Sequence, residues 1–188
     1  MRKRVITVVL LCCATLAVAA ENPDILIQVG AGLSLPFYPS GIQSQVSAAE
    51  SQGMMRIPFC LNAAGGFEIT RTSYLMLGVD ALLDYFCSDG DAWEQFNSYL
   101  WYGGFRYYPL EHGIFAGAEA GGAVEEENSY AGFSSPTDWG FGLGVSIGYD
   151  FHNRNHGLYP ELELKYDNLT INSQNIGMLN LLIDFCMK

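Results

Sequence analysis

Glu161, Glu163 and Lys165 stand at alternate positions in "YPELELKYDN", with Leu162 and Leu164 between them. Residues two apart on a strand share a face. Two carboxylates and an ammonium are therefore set side by side, the makings of a buried ion-pair ladder or of a polar conduit. Other alternating stretches place further polar residues on the corresponding face: Gln28, Asn62, Glu68, Asp80, Asp84, Arg106, Glu119, Asp150, Asn180 and Asp184. Carboxylates outnumber the bases Arg106 and Lys165 in this set, so full pairing is impossible. The surplus must be hydrated, protonated or neutralised by cations. A conduit and a salt-bridged plug both fit such a set.

Catalytic chemistry is poorly served. His112, His152 and His156 all fall in short connections, whereas a lipid-modifying hydrolase or acyltransferase would need a His beside a Ser at the far end of the strands. The Gly-rich runs alternate with aromatics and open no helix, which excludes a phosphate loop. Cys60, Cys87 and Cys186 show neither CxxC spacing nor a His at zinc-ligand spacing. The spacing thus points to no enzyme, no cofactor and no metal centre. A Cys60–Cys87 disulfide would join neighbouring strands, but the two side chains differ in parity.

The elements that must position the polar set are strands. "WGFGLGVSIGYDF", from Trp139 to Phe151, has a large apolar residue at every second place and Gly, Ser or Asp between. A strict period of two is an extended strand. The pattern recurs over Ile25–Leu35, Phe59–Thr70, Leu75–Tyr85, Ser98–Tyr107, Ile114–Gly122, Leu158–Tyr166 and Leu179–Phe185. These make eight strands of about ten to thirteen residues, suited to a tilted membrane crossing. No helix is expected outside the first twenty residues. Connections at Arg71–Ser73, Leu110–Gly113 and His152–His156 are short. Those at Tyr38–Arg56, Cys87–Glu94 and Glu125–Thr137 are long, and the last hairpin, around Thr170–Ser173, is short.

Aromatics sort into two bands. Phe37, Tyr38, Phe59, Tyr85, Phe86, Trp93, Trp139 and Phe141 lie toward the long loops. Phe67, Tyr107, Tyr108, Tyr149, Phe151, Tyr159 and Phe185 lie toward the short turns. Bands at both ends of an aliphatic belt match the interfaces of a membrane. The expected fold is all-β: an eight-stranded antiparallel up-and-down transmembrane β-barrel, apolar face outward. The sparse face of Trp139–Phe151 would leave room inside for Glu161, Glu163 and Lys165. A soluble lipocalin-like barrel would invert the faces, and alternation by itself does not choose between them.

Residues 1–20 read as a secretory signal peptide: Arg2, Lys3 and Arg4, then an apolar run, then Ala17-Val18-Ala19-Ala20. Residues 21–188 are the barrel. Without the signal, 6 Lys and Arg face 20 Asp and Glu, and the formal charge moves from −11 to −14. So acidic a chain repels nucleic acid.

"FRYYPLEHGIFAGAEAGGAV" and "WGFGLGVSIGYDFHNRNHGLYPELELKYDN" resemble the small outer-membrane β-barrels of double-membrane bacteria, namely the OmpA transmembrane domain, OmpX and OmpW families. The resemblance implies residence in the bacterial outer membrane, contact with its lipids, and delivery by the barrel-assembly machinery. Length and a Gly-then-Pro first strand are most similar to OmpW, which implies a passive porin-like channel for small, hydrophobic permeants. The alternative is a structural or adhesion barrel whose long loops bind a host or envelope partner. One departure stands out. Phe185 has the parity of the terminal aromatic of such barrels but is followed by Cys186, Met187 and Lys188.

Overall fold

Each stretch of period two becomes a strand in the computed structural model, which describes residues 25–88, 93–111, 113–129, 138–151 and 157–187. The strands are β1 (Ile25–Phe37), β2 (Met55–Thr70), β3 (Ser73–Cys87), β4 (Trp93–Tyr107), β5 (Ile114–Ser129), β6 (Asp138–Asp150), β7 (Leu158–Ile171) and β8 (Gln174–Met187). Each pairs antiparallel with the next, and β8 returns to β1 with Ala31 opposite Ile183, so the sheet closes. Closure leaves no free strand edge, the condition for a sheet in lipid.

The strands run longer than the alternation suggests, from 13 to 16 residues. At about 3.3 Å per residue, 14 residues tilted by about 40° climb roughly 35 Å, more than an apolar band of about 25 Å. The excess lies mostly at the long-loop side. Met55–Pro58, Trp93–Asn97 and Ala123–Ser129 are paired strand rather than loop, because the neighbouring strand is there to satisfy their backbone.

The faces are resolved by exposure. Leu143 and Val145 are 54% and 57% exposed, and Lys165 only 2%. Apolar residues face outward and the polar set inward, opposite to a lipocalin-like barrel. Phe37, Trp139 and Phe141 at one end, and Phe67, Tyr107, Tyr149, Phe151 and Phe185 at the other, are exposed outward. Phe86, Tyr108 and Tyr159 are corrections to the bands: their parity turns them inward, where they are buried.

The sparse face of β6 is filled from several strands, not only by Glu161, Glu163 and Lys165. A Cβ at Gly148 would lie 2.3 Å from Phe115, and one at Gly142 would lie 2.6 Å from Leu100 and 2.7 Å from Leu169. A Cβ at Gly144 would lie 2.4 Å from the Asp167 carboxylate and 2.6 Å from that of Glu119. The bare strand is a wall against which β4, β5 and β7 pack their side chains.

The last turn reflects the hairpin geometry. Asn172 and Ser173 both have positive φ, 49° and 62°, and join Ile171 to its partner Gln174 in two residues. That matches the twist of the strands they connect. That short hairpin is as expected, whereas a helix departs from expectation. Ser40–Ser51, in the first long connection, forms α1. Pro39 precedes it, and Gly53 with φ of 81° follows it. Its apolar contacts are few (Ile42, Val46 and Ala49), so the sequence carries little helical periodicity. Tertiary contact supplies the rest: Val46 and Ala49 are buried with Phe86 and Phe96 at the ends of β3 and β4.

Candidate functional site: the lumen and its cap

Inward side chains form three polar layers along the barrel. The layer nearest the short turns centres on Arg106 of β4. Its Nη1 donates to Glu161 Oε1 and Oε2 at 2.9 and 3.0 Å, and its Nη2 donates to Gln28 Oε1 at 2.8 Å. Glu163 Oε2 lies 3.4 Å from the guanidinium and accepts from Gln28 Nε2 at 3.1 Å. The guanidinium also stacks 4.2 Å above the Phe115 ring. Asp184 borders this layer.

The middle layer centres on Lys165 of β7. Its ammonium is hydrogen-bonded to Asp80 Oδ2 and lies 2.6 Å from Glu119 Oε1. Asn62 Nδ2 donates to Asp80 Oδ1 at 2.6 Å and to the Tyr102 hydroxyl at 3.2 Å. Asn180 links Asp167, at 2.9 Å, to Ser34, at 2.6 Å. This layer draws on β1, β2, β3, β4, β5, β7 and β8, and Lys165 is held from across the lumen. Met76, Arg106, Glu119 and Ser146 line a cavity of about 10 Å³, room for a single water.

The third layer lies beneath α1. Asp84 accepts from Tyr38 at 2.8 Å and from Arg56 Nη2 and Nε at 2.8 and 3.0 Å. Arg56 also reaches Glu50 of α1 at 3.5 Å, and its guanidinium is 5.6 Å from the Phe86 ring centre. Burial first, then the adjacent Asp84 carboxylate, pushes the Tyr38 phenol far above its usual range, so it stays a donor. The layer pins the cap to the barrel mouth.

The polar set identified from alternation is therefore split among the layers. Gln28, Arg106, Glu161, Glu163 and Asp184 meet near the turns, while Asn62, Asp80, Glu119, Lys165 and Asn180 meet at mid-depth. Asp84 stands apart under α1. Asp150 is buried at the turn-side rim. Glu68, half-buried, accepts from Tyr74 at 3.1 Å, away from the central networks. Asp167, Arg56, Tyr38, Tyr102 and Ser34 belong to the layers but not to that set. Asp167 shares the parity of Glu163 and Lys165, and Arg56 that of Asn62, so a strict count along each strand reaches both. Tyr38 follows β1, outside the alternation, and is placed by Asp84 and by the Phe96 ring at the barrel mouth.

Among the described residues, two groups of carboxylates come close enough to share an ion: Asp80, Glu119 and Asp167, and Glu161, Glu163 and Asp184. Cys60, Cys87 and Cys186 are free thiols, Cys60 and Cys186 within the lumen. His112, His152, His156 and the signal segment lie outside the described residues.

A closed eight-stranded wall, apolar outside and ion-paired within, is the architecture of the small outer-membrane barrels. No family model matches the chain, and no curated protein matches it. Solved structures do. Ail, the attachment invasion locus protein of Yersinia pestis, aligns with 87% of this chain and 97% of its own at TM-score 0.59 and 11% identity. Ail in complex with the heparin analogue sucrose octasulfate aligns at TM-score 0.56 and 12% identity, with the same coverage. Neisserial surface protein A aligns with 88% of this chain and 97% of its own at TM-score 0.57 and 14% identity. At such identities the likeness is one of fold.

Proposed function

We propose that this chain is a surface protein of the bacterial outer membrane: a closed, lipid-embedded barrel that works through its loop-side end. The observation that carries the reading is the filled lumen. Lys165 and Arg106 are each tied to carboxylates from other strands, Phe115 and Tyr108 fill the turn-side end beneath Arg106, Leu100 and Leu169 are buried in the lumen beyond Lys165, and α1 covers the loop-side mouth. The barrel is then an anchor, its belt solvated by outer-membrane lipids, its insertion catalysed by the barrel-assembly machinery. Strand ends that outrun the belt, α1, and the acidic run Glu125-Glu126-Glu127 offer the face for a host or envelope partner. Ail, an attachment invasion locus protein, and Neisserial surface protein A, the barrels this fold is similar to, accord with such a role.

The porin-like reading is the competitor. A path for small molecules requires Lys165 to leave Asp80 and Glu119, and Arg106 to leave Glu161. Planar-bilayer recording on the refolded chain separates the two. The anchor reading expects a silent membrane; steady, cation-preferring conductance steps would replace it with a channel. An epitope inserted at Gly53 should be reached by antibody on intact cells, and inaccessibility there would sink the surface assignment.

A further inference from the structure

Near the short turns the lumen holds Glu161, Glu163 and Asp184, all buried, with one oxygen of each within 4.8 Å of the others. Arg106 serves this group from one side only, through Glu161 and Glu163. Asp184 is left over. It is 0% exposed, neither of its carboxylate oxygens accepts a hydrogen bond within 3.5 Å, and the Gln28 amide that reaches toward it is already bonded to Glu163 at 3.1 Å. Nor is it loosely placed. Its register partner on β1 is Gly30, and a Cβ there would lie 1.7 Å from Asp184 Oδ1. The carboxylate occupies the space that glycine leaves free, and only a glycine admits it.

A buried carboxylate without a partner is expensive, and the groups beside this one carry the same sign. Three carboxylates against one guanidinium leave two negative charges in excess, the charge of one divalent cation. The spacing agrees. Oxygens bound to Ca²⁺ at about 2.4 Å are at most about 4.8 Å apart.

We propose that Glu161, Glu163 and Asp184 bind a hard divalent cation, with Ca²⁺ preferred. The donors are all oxygen, which selects a hard ion. The lumen around them is filled, so the ion must accept protein ligands in irregular geometry; Ca²⁺ does so, whereas Mg²⁺ holds on to several waters. The Cys186 thiol, 3.6 Å from Glu161 Oε2, donates to that carboxylate and steadies it. In each group one cation contacts two carboxylates, and the third makes the difference. At mid-depth Lys165 holds Asp80 and Glu119, and Asp167 accepts from Asn180 at 2.9 Å, whereas both oxygens of Asp184 are left over. In the turn-side group the ion would tie β7 to β8, beside the seam where β8 closes on β1.

The test uses the refolded chain in micelles, stripped with chelator and returned to millimolar Ca²⁺. Elemental analysis after gel filtration should find one Ca²⁺ per chain, and Ca²⁺ should raise the unfolding midpoint by about 5 °C at saturation. Asp184→Asn should abolish both effects, and Asp80→Asn should keep both. Glu163→Gln is a second variant of the site, should Asp184→Asn fail to fold. No Ca²⁺ response in the parent chain would overturn the proposal and assign the excess charge to protons. A response equal in parent and Asp184→Asn would overturn it too, by moving the ion to the acidic exterior.

Discussion

Arg106 shows what one residue does in this lumen. It is the guanidinium that two buried carboxylates and the Gln28 carbonyl share, and it closes one side of the turn-side layer. Arg106→Met keeps the bulk over Phe115 but leaves Glu161 and Glu163 without their cation. Stranding one half of a buried pair costs about 3–5 kcal/mol. Urea unfolding of the refolded barrel should show that loss, and adding Glu161→Gln should recover part of it. Full stability in the single variant would mean that the layer is hydrated rather than paired. Glycines give a second comparison. Gly144→Val drives a methyl group into the carboxylates of Glu119 and Asp167 and should cost about 1–3 kcal/mol by overpacking. At outward-facing Gly103 the nearest atom to a new Cβ is Leu77 Cδ2 at 3.7 Å, so Gly103→Val should be close to neutral in the same titration.

Among elements, β6 and α1 make opposite demands. β6 keeps its apolar residues for lipid and contributes little more than backbone to the lumen. Leu143→Arg or Val145→Arg should therefore destabilise the barrel by about 2–4 kcal/mol, the cost of a cation at the bilayer midplane. Folding in lipid vesicles under urea measures it, and a harmless Arg at both positions would contradict the outward facing of this strand. α1 instead depends on contact with the barrel mouth through Val46. Val46→Asp puts an unpaired charge between Phe86 and Phe96 and should release the helix without opening the strands. Limited proteolysis should then cut within Ser40–Ser51 while the remaining barrel still migrates as a folded species on unheated gels. Co-operative loss of the whole barrel would show that the cap is integral to it.

At the scale of the whole molecule, closure determines behaviour. A cylinder whose outer surface is Leu, Val, Ile and aromatic rings has no place in water. The refolded chain should need detergent, give a circular dichroism spectrum dominated by strand, and shift in gel mobility on boiling. A detergent-free soluble monomer would contradict the lipid-facing belt.

What the sequence determined by itself was the local part. Strand number, the grouping of Gln28 to Asp184 on one face of the strands and of the apolar belt on the other, and the short final hairpin all follow from local pattern, a period of two and its interruptions, which neighbouring residues set among themselves. The turn-in of Phe86, Tyr108 and Tyr159 was legible too, since each breaks the parity of its band. Which charges meet was not. Gln28 and Glu163 are 135 positions apart, and they touch because β8 closes on β1 and the stagger of the whole cylinder brings their levels together. The same holds for Lys165 between Asp80 and Glu119. It also holds for α1, whose few apolar residues become a helix only against Phe86 and Phe96. Alternation decides which side chains share a face; only the closed barrel decides which face is inside and what each side chain finds there.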